Sequence, residues 1–535
     1  MSLILILGAI VAFIIAYVTY GSWLAKEWGV DITRKTPAHT MTDGVDYVPA
    51  KAPILLGHHF ASIAGAGPIV GPIAASMFGW LPVFLWIVIG SIFVGGVHDF
   101  SSLFSSIRHE GKSIGHVIEK NIGMLGKKLF NIFAFLTLAL VIAAFSNIVV
   151  NTFVAVPAVG TTSILFIILA VGFGYATNRL NVPLGIATVV GVALLIACIW
   201  LGLIFPIVLS FNVWYMIVLV YIFIASVAPV YILLQPRDYL NSFLLYAMII
   251  GAVLGLILFR PDIQLPAVTA FNVNGSWMFP ILFVTVACGA ISGFHSLISS
   301  GTSSKQLDKE GDAKLIGYGS MLIEGVLAVI ALISAAYLGA DKLAELLKAG
   351  GPNNVFSDGV GTFMVSFGIP FAVGKSFVAL AISAFALTSL DSAARIGRFV
   401  FQEYFEKEIK ADMSIFTNKY VATFITVGVG GFLGVAGWQI VWPIFGSANQ
   451  LLAAIALMSA AVWLKHQGKN IKMFTIPMIF MFSVTMFALV LLIRSNLLTS
   501  NYPLVVVGIA LLILALILAK QAFDQLTAKT DNKVA

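Results

Sequence analysis

Apolar runs long enough to cross a lipid bilayer recur from Leu3 to Leu518, separated by short polar stretches. About 20 mostly apolar residues form one helical span, and only helices or closed barrels satisfy every backbone polar group in lipid. Fifteen runs qualify as helices: Leu3–Ala25, Ile54–Phe78, Leu81–Ser106, Lys128–Ala155, Thr162–Ala176, Leu184–Ile204, Val213–Leu234, Leu240–Phe259, Trp277–Ser300, Leu315–Leu338, Lys375–Val400, Tyr420–Ala436, Gln439–Leu464, Met473–Leu492 and Pro503–Leu518. The apolar stretch Gly361–Phe371, with Gly368 and Pro370, is too short to span and reads as a re-entrant or interfacial piece. Hydrophobic residues are 60% of the chain and charged ones 10%, a balance that excludes a water-soluble protein of this size. The expectation is one continuous all-α polytopic membrane domain.

The loops orient it. Short cytoplasmic loops are enriched in Lys and Arg, and with the N-terminus outside, 25 of the 30 basic residues fall in inward segments. Arg237, Arg395 and Arg398 are counted among them; Arg260, Lys342, Lys348 and Arg494 lie outside, with Lys375 at an outer helix end. The net charge of +7 is therefore a membrane signature and gives no nucleic-acid reading. The C-terminus is expected inside, with a short polar tail at 521–535. The run Leu3–Ala25 lacks a basic leader and a small-residue cleavage site and reads as a retained helix. Cys198 and Cys288 each sit inside an apolar run, which supports neither a disulfide framework nor a cysteine metal site.

The second run is interrupted. Within Gly57-His58-His59-Phe60-Ala61-Ser62-Ile63-Ala64-Gly65-Ala66-Gly67-Pro68-Ile69-Val70-Gly71-Pro72, three glycines and two prolines fall in eight residues. They remove ladder donors and admit non-helical backbone, so Gly65, Ala66, Gly67 and Pro68 are candidates to bind substrate through freed backbone groups. The alternative is a kinked helix whose glycines only allow close packing. Carriers are often built from two inverted halves with interrupted helices. Two halves of five helices, 54–204 and 213–400, fit the spacing, preceded by one helix and a loop at 1–53 and followed by about four helices at 401–520. In that layout the partner of the interrupted helix is Val213–Leu234, with Ala228-Pro229 inside it. A competing layout makes Trp277–Ser300, with Gly289, Gly293 and Gly301, the second broken helix.

Five strings carry a family resemblance: GHHFASIAGAGPIVGPIAA from Gly57, GGVHDFSSLFSSIRHEGKSIG from Gly95, QPRDYLNSF from Gln235, GFHSLISSGTSSKQL from Gly293 and WPIFGSANQLLAA from Trp442. In these the chain resembles the carbon starvation protein A (CstA) family. The resemblance implies nutrient uptake under carbon starvation across a bacterial inner membrane, with peptides or pyruvate as substrates. It also implies proton coupling and a LeuT-like core related to the amino-acid/polyamine/organocation carriers. Some members carry additional C-terminal helices, whose features do not transfer.

Ionisable groups inside apolar spans usually face a cavity, pair, or work. His58, His59, His98, Asp99 and His295 fall at about the same depth near the inner surface. Imidazoles titrate near neutrality, so these five, with Glu324 midway along its helix, are the proton-coupling candidates; structural hydrogen bonding is the alternative for each. A metal site is disfavoured, since no spaced ligand motif occurs. Ser299, Ser300, Thr302 and Ser303 are, by resemblance to LeuT-like sodium sites, candidate ion ligands, with back-bonding near a helix end as the alternative. Asp391 and Arg395 have the i, i+4 spacing of a structural ion pair. Asn147 and Asn151 share a helix face and either bind substrate or join helices. No Walker motif and no cofactor motif occurs. The expectation is a secondary carrier that imports a small carboxylate-bearing nutrient with a coupling ion, rather than an enzyme. A sodium-coupled carrier, an intramembrane metalloenzyme and a nutrient sensor are the alternatives.

Overall fold

The computed structural model describes residues 1–43, 47–180, 182–228, 233–406 and 414–527. Among these, twelve helices are long and apolar enough to cross a membrane, one bent pair makes a thirteenth, and two shorter apolar helices complete the set. In chain order they are α1 (Ser2–Trp28), α2 (Ala52–Ile63 with Gly67–Phe78), α3 (Trp80–Arg108), α4 (Met124–Ala155), α5 (Pro157–Thr177), α6 (Leu184–Ile204), α7 (Phe211–Val227), α8 (Pro236–Phe259), α9 (Met278–Gln306), α10 (Glu310–Ala336), α11 (Phe371–Phe405), α12 (Lys419–Gly434), α13 (Trp438–His466), α14 (Lys472–Leu498) and α15 (Tyr502–Thr527). They correspond one for one to the fifteen expected runs. Pro229, Lys407 and Lys410 lie outside the described residues.

Three details differ from the sequence reading. Gly361 to Met364 end a separate helix, Ala340–Met364, that bends at Gly350 and Gly351 and packs along α11, burying Val355, Phe356, Val360 and Phe363. The tail does not begin at 521: α15 runs on to Thr527, and 528–535 are outside the described residues. Arg237, Arg395 and Arg398, counted as loop cations, lie inside helices, with Arg237 and Arg398 buried.

The two halves of α2 meet at 45°. Ala64 leaves the helical region with ψ 49°, Gly65 N–H turns back onto the Ile63 carbonyl at 2.8 Å, and the second half restarts at Gly67-Pro68. Proline fits there because the first turn of a helix has no use for its missing N–H. A second break lies in α9. Ala287 takes a positive φ of 43°, and the helix resumes only at Phe294. Asn449 of α13 caps that restart, its Oδ1 accepting from Phe294 N–H at 2.8 Å and its carbonyl from Gly293 N–H at 3.0 Å. The two strings that begin at Gly293 and Trp442 therefore meet in one contact.

Glycine lets backbones close around the α9 break. A Cβ on Gly71 would lie 2.2 Å from the Val286 carbonyl oxygen, and one on Gly67 would lie 2.5 Å from Cys288 Sγ. Small residues allow this approach, which replaces the hydrophobic driving force missing between helices in lipid. At one end of the bundle, Arg108 grips Glu310 through two hydrogen bonds of 2.6 and 3.0 Å, and Glu310 also accepts from Asp31 N–H. The segment after α1 is tied to the same end by Thr36 Oγ1 to the Leu307 carbonyl and Ala50 N–H to the Gln306 carbonyl.

Candidate functional site

Four titratable side chains from α3, α9 and α10 form one connected chain at the centre of the bundle. The imidazoles of His98 and His295 both point Nδ1 at the Asp99 carboxylate, at 2.6 Å to Oδ1 and 2.7 Å to Oδ2. A carboxylate only accepts, so both Nδ1 atoms carry hydrogen. The far nitrogen of His295, Nε2, faces Glu324 Oε2 at 3.4 Å. All four residues have no solvent exposure, and neither Glu324 oxygen has a hydrogen-bond donor among the described residues. The last pair can hold one proton on either member, as imidazolium with carboxylate or as imidazole with carboxylic acid. Helix spacing builds the site: the widened turn Ser91–Gly95 in α3 sits one turn before His98-Asp99, and another, Lys314–Gly319, precedes Glu324 in α10. Such turns recur at functional sites in helices.

The remaining expected histidines divide. His59 Nδ1 meets Ser303 Oγ at 2.7 Å, two turns along α9 from His295. His58 is half-buried, and its Nε2 has no described partner. His98, Asp99 and His295 are hydrogen-bonded to one another, whereas His59 and His58 make no hydrogen bond to them among the described residues.

The second cluster was missed. Arg237, 1% exposed, points its guanidinium at four oxygens. Nη1 donates to Tyr221 Oη of α7 and Asp391 Oδ2 of α11; Nη2 reaches Thr388 Oγ1 at 3.1 Å and Asp238 Oδ1 at 3.5 Å. Thr388 in turn donates to Asp238 at 3.0 Å and accepts from Asn241 Nδ2 at 3.1 Å. The expected Asp391–Arg395 pair is therefore replaced. Asp391 takes its cation from across the helix interface, and Arg395 donates to the carbonyls of Ala225 and Ala228 at the end of α7, where helix carbonyls lack partners. The only sequence signal was an arginine and an aspartate side by side in QPRDYLNSF.

The other candidates make mostly local hydrogen bonds. Asn147 Nδ2 bonds the carbonyls of Ala143 and, across the interface, Gly434 of α12 at 2.7 Å, so it joins helices; Asn151 bonds the Asn147 carbonyl. Ser300 and Thr302 back-bond to carbonyls one turn earlier, Ser303 is taken by His59, and Ser299 Oγ alone lacks a described partner. The Cβ side of Gly65 abuts Ser389, and that of Gly67 abuts Cys288, so these glycines serve close packing as well as the break. Among the described residues, no three His, Cys, Asp or Glu side chains are arranged to hold a metal ion.

Comparison with known proteins decides the family. The family described as carbon starvation protein CstA matches residues 1–346 and 339–488. The chain belongs to the CstA family. Relatives include the peptide transporter CstA of Campylobacter jejuni, 34% identical over 535 residues (87% of this chain, 76% of the relative), and that of Helicobacter pylori, 35% identical over 573 residues (90% and 81%). The pyruvate/proton symporter BtsT of Escherichia coli is 31% identical over 550 residues (86% and 76%). In three dimensions, a crystal structure of a manganese transporter from Eremococcus coleocola covers 91% of this chain and 99% of its own at TM-score 0.50 and 12% identity. That likeness supports the LeuT-like fold and nothing finer. The CstA-family chain is a multi-pass membrane transporter, in keeping with relatives that are transporters and not enzymes.

Proposed function

We propose that this carrier imports a small carboxylate-bearing nutrient, a short peptide or pyruvate, driven by protons, across a bacterial inner membrane during carbon starvation, with its N-terminus outside and its C-terminus inside. The observation that carries the reading is the His98–Asp99–His295–Glu324 chain. It links α3, α9 and α10, so a proton arriving at the His295–Glu324 pair alters the charge at an interface of three helices. A relative named for pyruvate and protons supports the same coupling. The substrate carboxylate is assigned to the start of the second half of α2, at Gly65–Pro68, where the N–H groups of Ala66 and Gly67 have no backbone acceptor among the described residues and a helix N-terminus favours anions.

The internal repeat is best described with α9 as the partner of α2, in place of the halves 54–204 and 213–400. Both helices are broken, and they pack on each other at the breaks. Each is followed by a helix with a widened turn, α3 and α10. The long helices α4 and α11 pack together, as do the short ones α7 and α12. In α8, Pro236 precedes Leu244-Leu245 by the same spacing as Pro443 precedes Leu451-Leu452 in α13. The hairpin α5–α6 is then an insertion in the first half. The first half then holds seven spans, α2 to α8, an odd number, which inverts the second half.

The test is uptake into proteoliposomes of pyruvate and of di- and tripeptides under an imposed inward proton gradient, with sodium present or replaced by choline. Uptake that follows the proton gradient in choline supports the proposal. Uptake that requires sodium, or no uptake of any of these substrates, rejects it.

A further inference from the structure

Arg237 occupies a place that the surrounding atoms would make a cation site without it. Tyr221 Oη, Asp391 Oδ2, Thr388 Oγ1 and Asp238 Oδ1 converge on its guanidinium. Nearby, Asn241 Oδ1 and Asp391 Oδ1 are buried with no described donor. Hydroxyl, carboxylate and amide oxygens are the donor set of hard cations. Two carboxylates against one guanidinium leave the cluster a charge of −1 when both are ionised, so a cation at its centre is required rather than incidental. A guanidinium holds its proton at any physiological pH.

A purely structural ion pair is the plainer account. It explains the contact poorly, since buried pairs are commonly replaceable by apolar residues with no loss of stability. The location adds an argument. Ser389, next to Thr388, has its hydroxyl 3.4 Å from the Ser62 carbonyl in the last turn before the α2 break, and the Gly65 Cβ position lies 2.4 Å from that hydroxyl. The cage therefore lies on α11 directly beside the break.

We propose that Arg237 is a tethered cation filling an oxygen-lined monovalent-cation site, which closes the α7–α8–α11 junction beside the broken helix without a free metal ion. It goes beyond the coupling reading and does not depend on it. Removing the guanidinium should expose the site to a small cation from solution.

The test is thermal unfolding of the purified full chain in detergent, with choline, sodium, potassium or methylguanidinium chloride at equal ionic strength. Wild type should unfold at one temperature in all four salts. Arg237→Ala should unfold lower in choline and recover by roughly 5 °C with sodium or methylguanidinium, the shift of a ligand that binds the folded state alone well above its Kd. The recovery should vanish in Arg237→Ala/Asp391→Asn. An Arg237→Ala protein that responds to none of the cations, or a double variant that responds equally, overturns the proposal. If Arg237→Ala cannot be purified, Arg237→Lys should unfold well above Arg237→Gln; equal unfolding of those two overturns it as well. The readout needs neither substrate nor gradient, so its failure is separable from failure of the proton-coupled reading.

Discussion

Two buried ionic clusters flank the broken helix, and they differ in whether their cation can lose its proton. The α3–α9–α10 cluster is built of imidazoles and carboxylates, side chains that can take up and release a proton. The α7–α8–α11 cluster is built around a guanidinium, whose charge is fixed. His59 and His58 are adjacent on α2, yet His59 is fully buried and bonds Ser303 of α9, whereas His58 is half-buried with its Nε2 lacking a described partner. A carrier needs both kinds of contact: one that changes with the driving ion and one that holds while it changes.

The comparison is broken most severely by removing one partner of the fixed cluster. Asp391→Ala removes the carboxylate that Arg237 Nη1 bonds and leaves only Asp238, at 3.5 Å from Nη2, to face the buried guanidinium; it should destabilise the protein by about 3 kcal/mol, seen as lost yield or a much lower unfolding temperature, and a protein as stable as wild type would make the cluster incidental. Asp99→Asn should act differently. It removes the negative charge and turns one of the two acceptor oxygens into a donor, so proton-driven accumulation should fall by roughly tenfold or more while folded protein is still recovered, and unchanged accumulation would free Asp99 of a coupling role. His59 bonds Ser303 and makes no hydrogen bond to the first cluster among the described residues, so His59→Gln should lower accumulation by only roughly threefold, less than Asp99→Asn in the same assay. Asn147→Ala removes a hydrogen bond between α4 and α12 and should cost about 1 kcal/mol of stability with no change in the substrate concentration for half-maximal uptake. A large change there would return Asn147 to the substrate site.

Much of the fold was legible because lipid enforces it: each run of apolar residues became a helix, and the Gly-Pro cluster at 65–72 became a break. The connected chain was legible in part. His98, Asp99, His295 and Glu324 stood out as ionisable residues in apolar runs, but which of them touch is decided by how α3, α9 and α10 pack. The Arg237 cluster was hidden for a physical reason. An arginine between two apolar runs looks like a loop cation, and its partners Tyr221 and Asp391 are 16 and 154 positions away. The local i, i+4 spacing of Asp391 and Arg395 pointed to the wrong partner, since a cation on a neighbouring helix pairs better than one that can reach the ends of α7. The α9 break was legible in part: Gly289, Gly293 and Gly301 marked the run as a candidate broken helix, but the turn itself falls at Ala287, at positive φ, and the restart is capped by Asn449 of α13, which no local pattern announces.

In the proposed mechanism the His295–Glu324 pair carries the coupling proton. That role is tested most directly by Glu324→Gln in proteoliposomes, comparing uptake driven by an inward proton gradient with exchange of internal for external substrate. Gln keeps the shape of the side chain but cannot take up or release the proton. Gradient-driven accumulation should disappear while exchange continues at close to the wild-type rate, because exchange needs binding and isomerisation without net proton movement. Accumulation that persists and still follows the proton gradient in the Glu324→Gln protein would contradict the account.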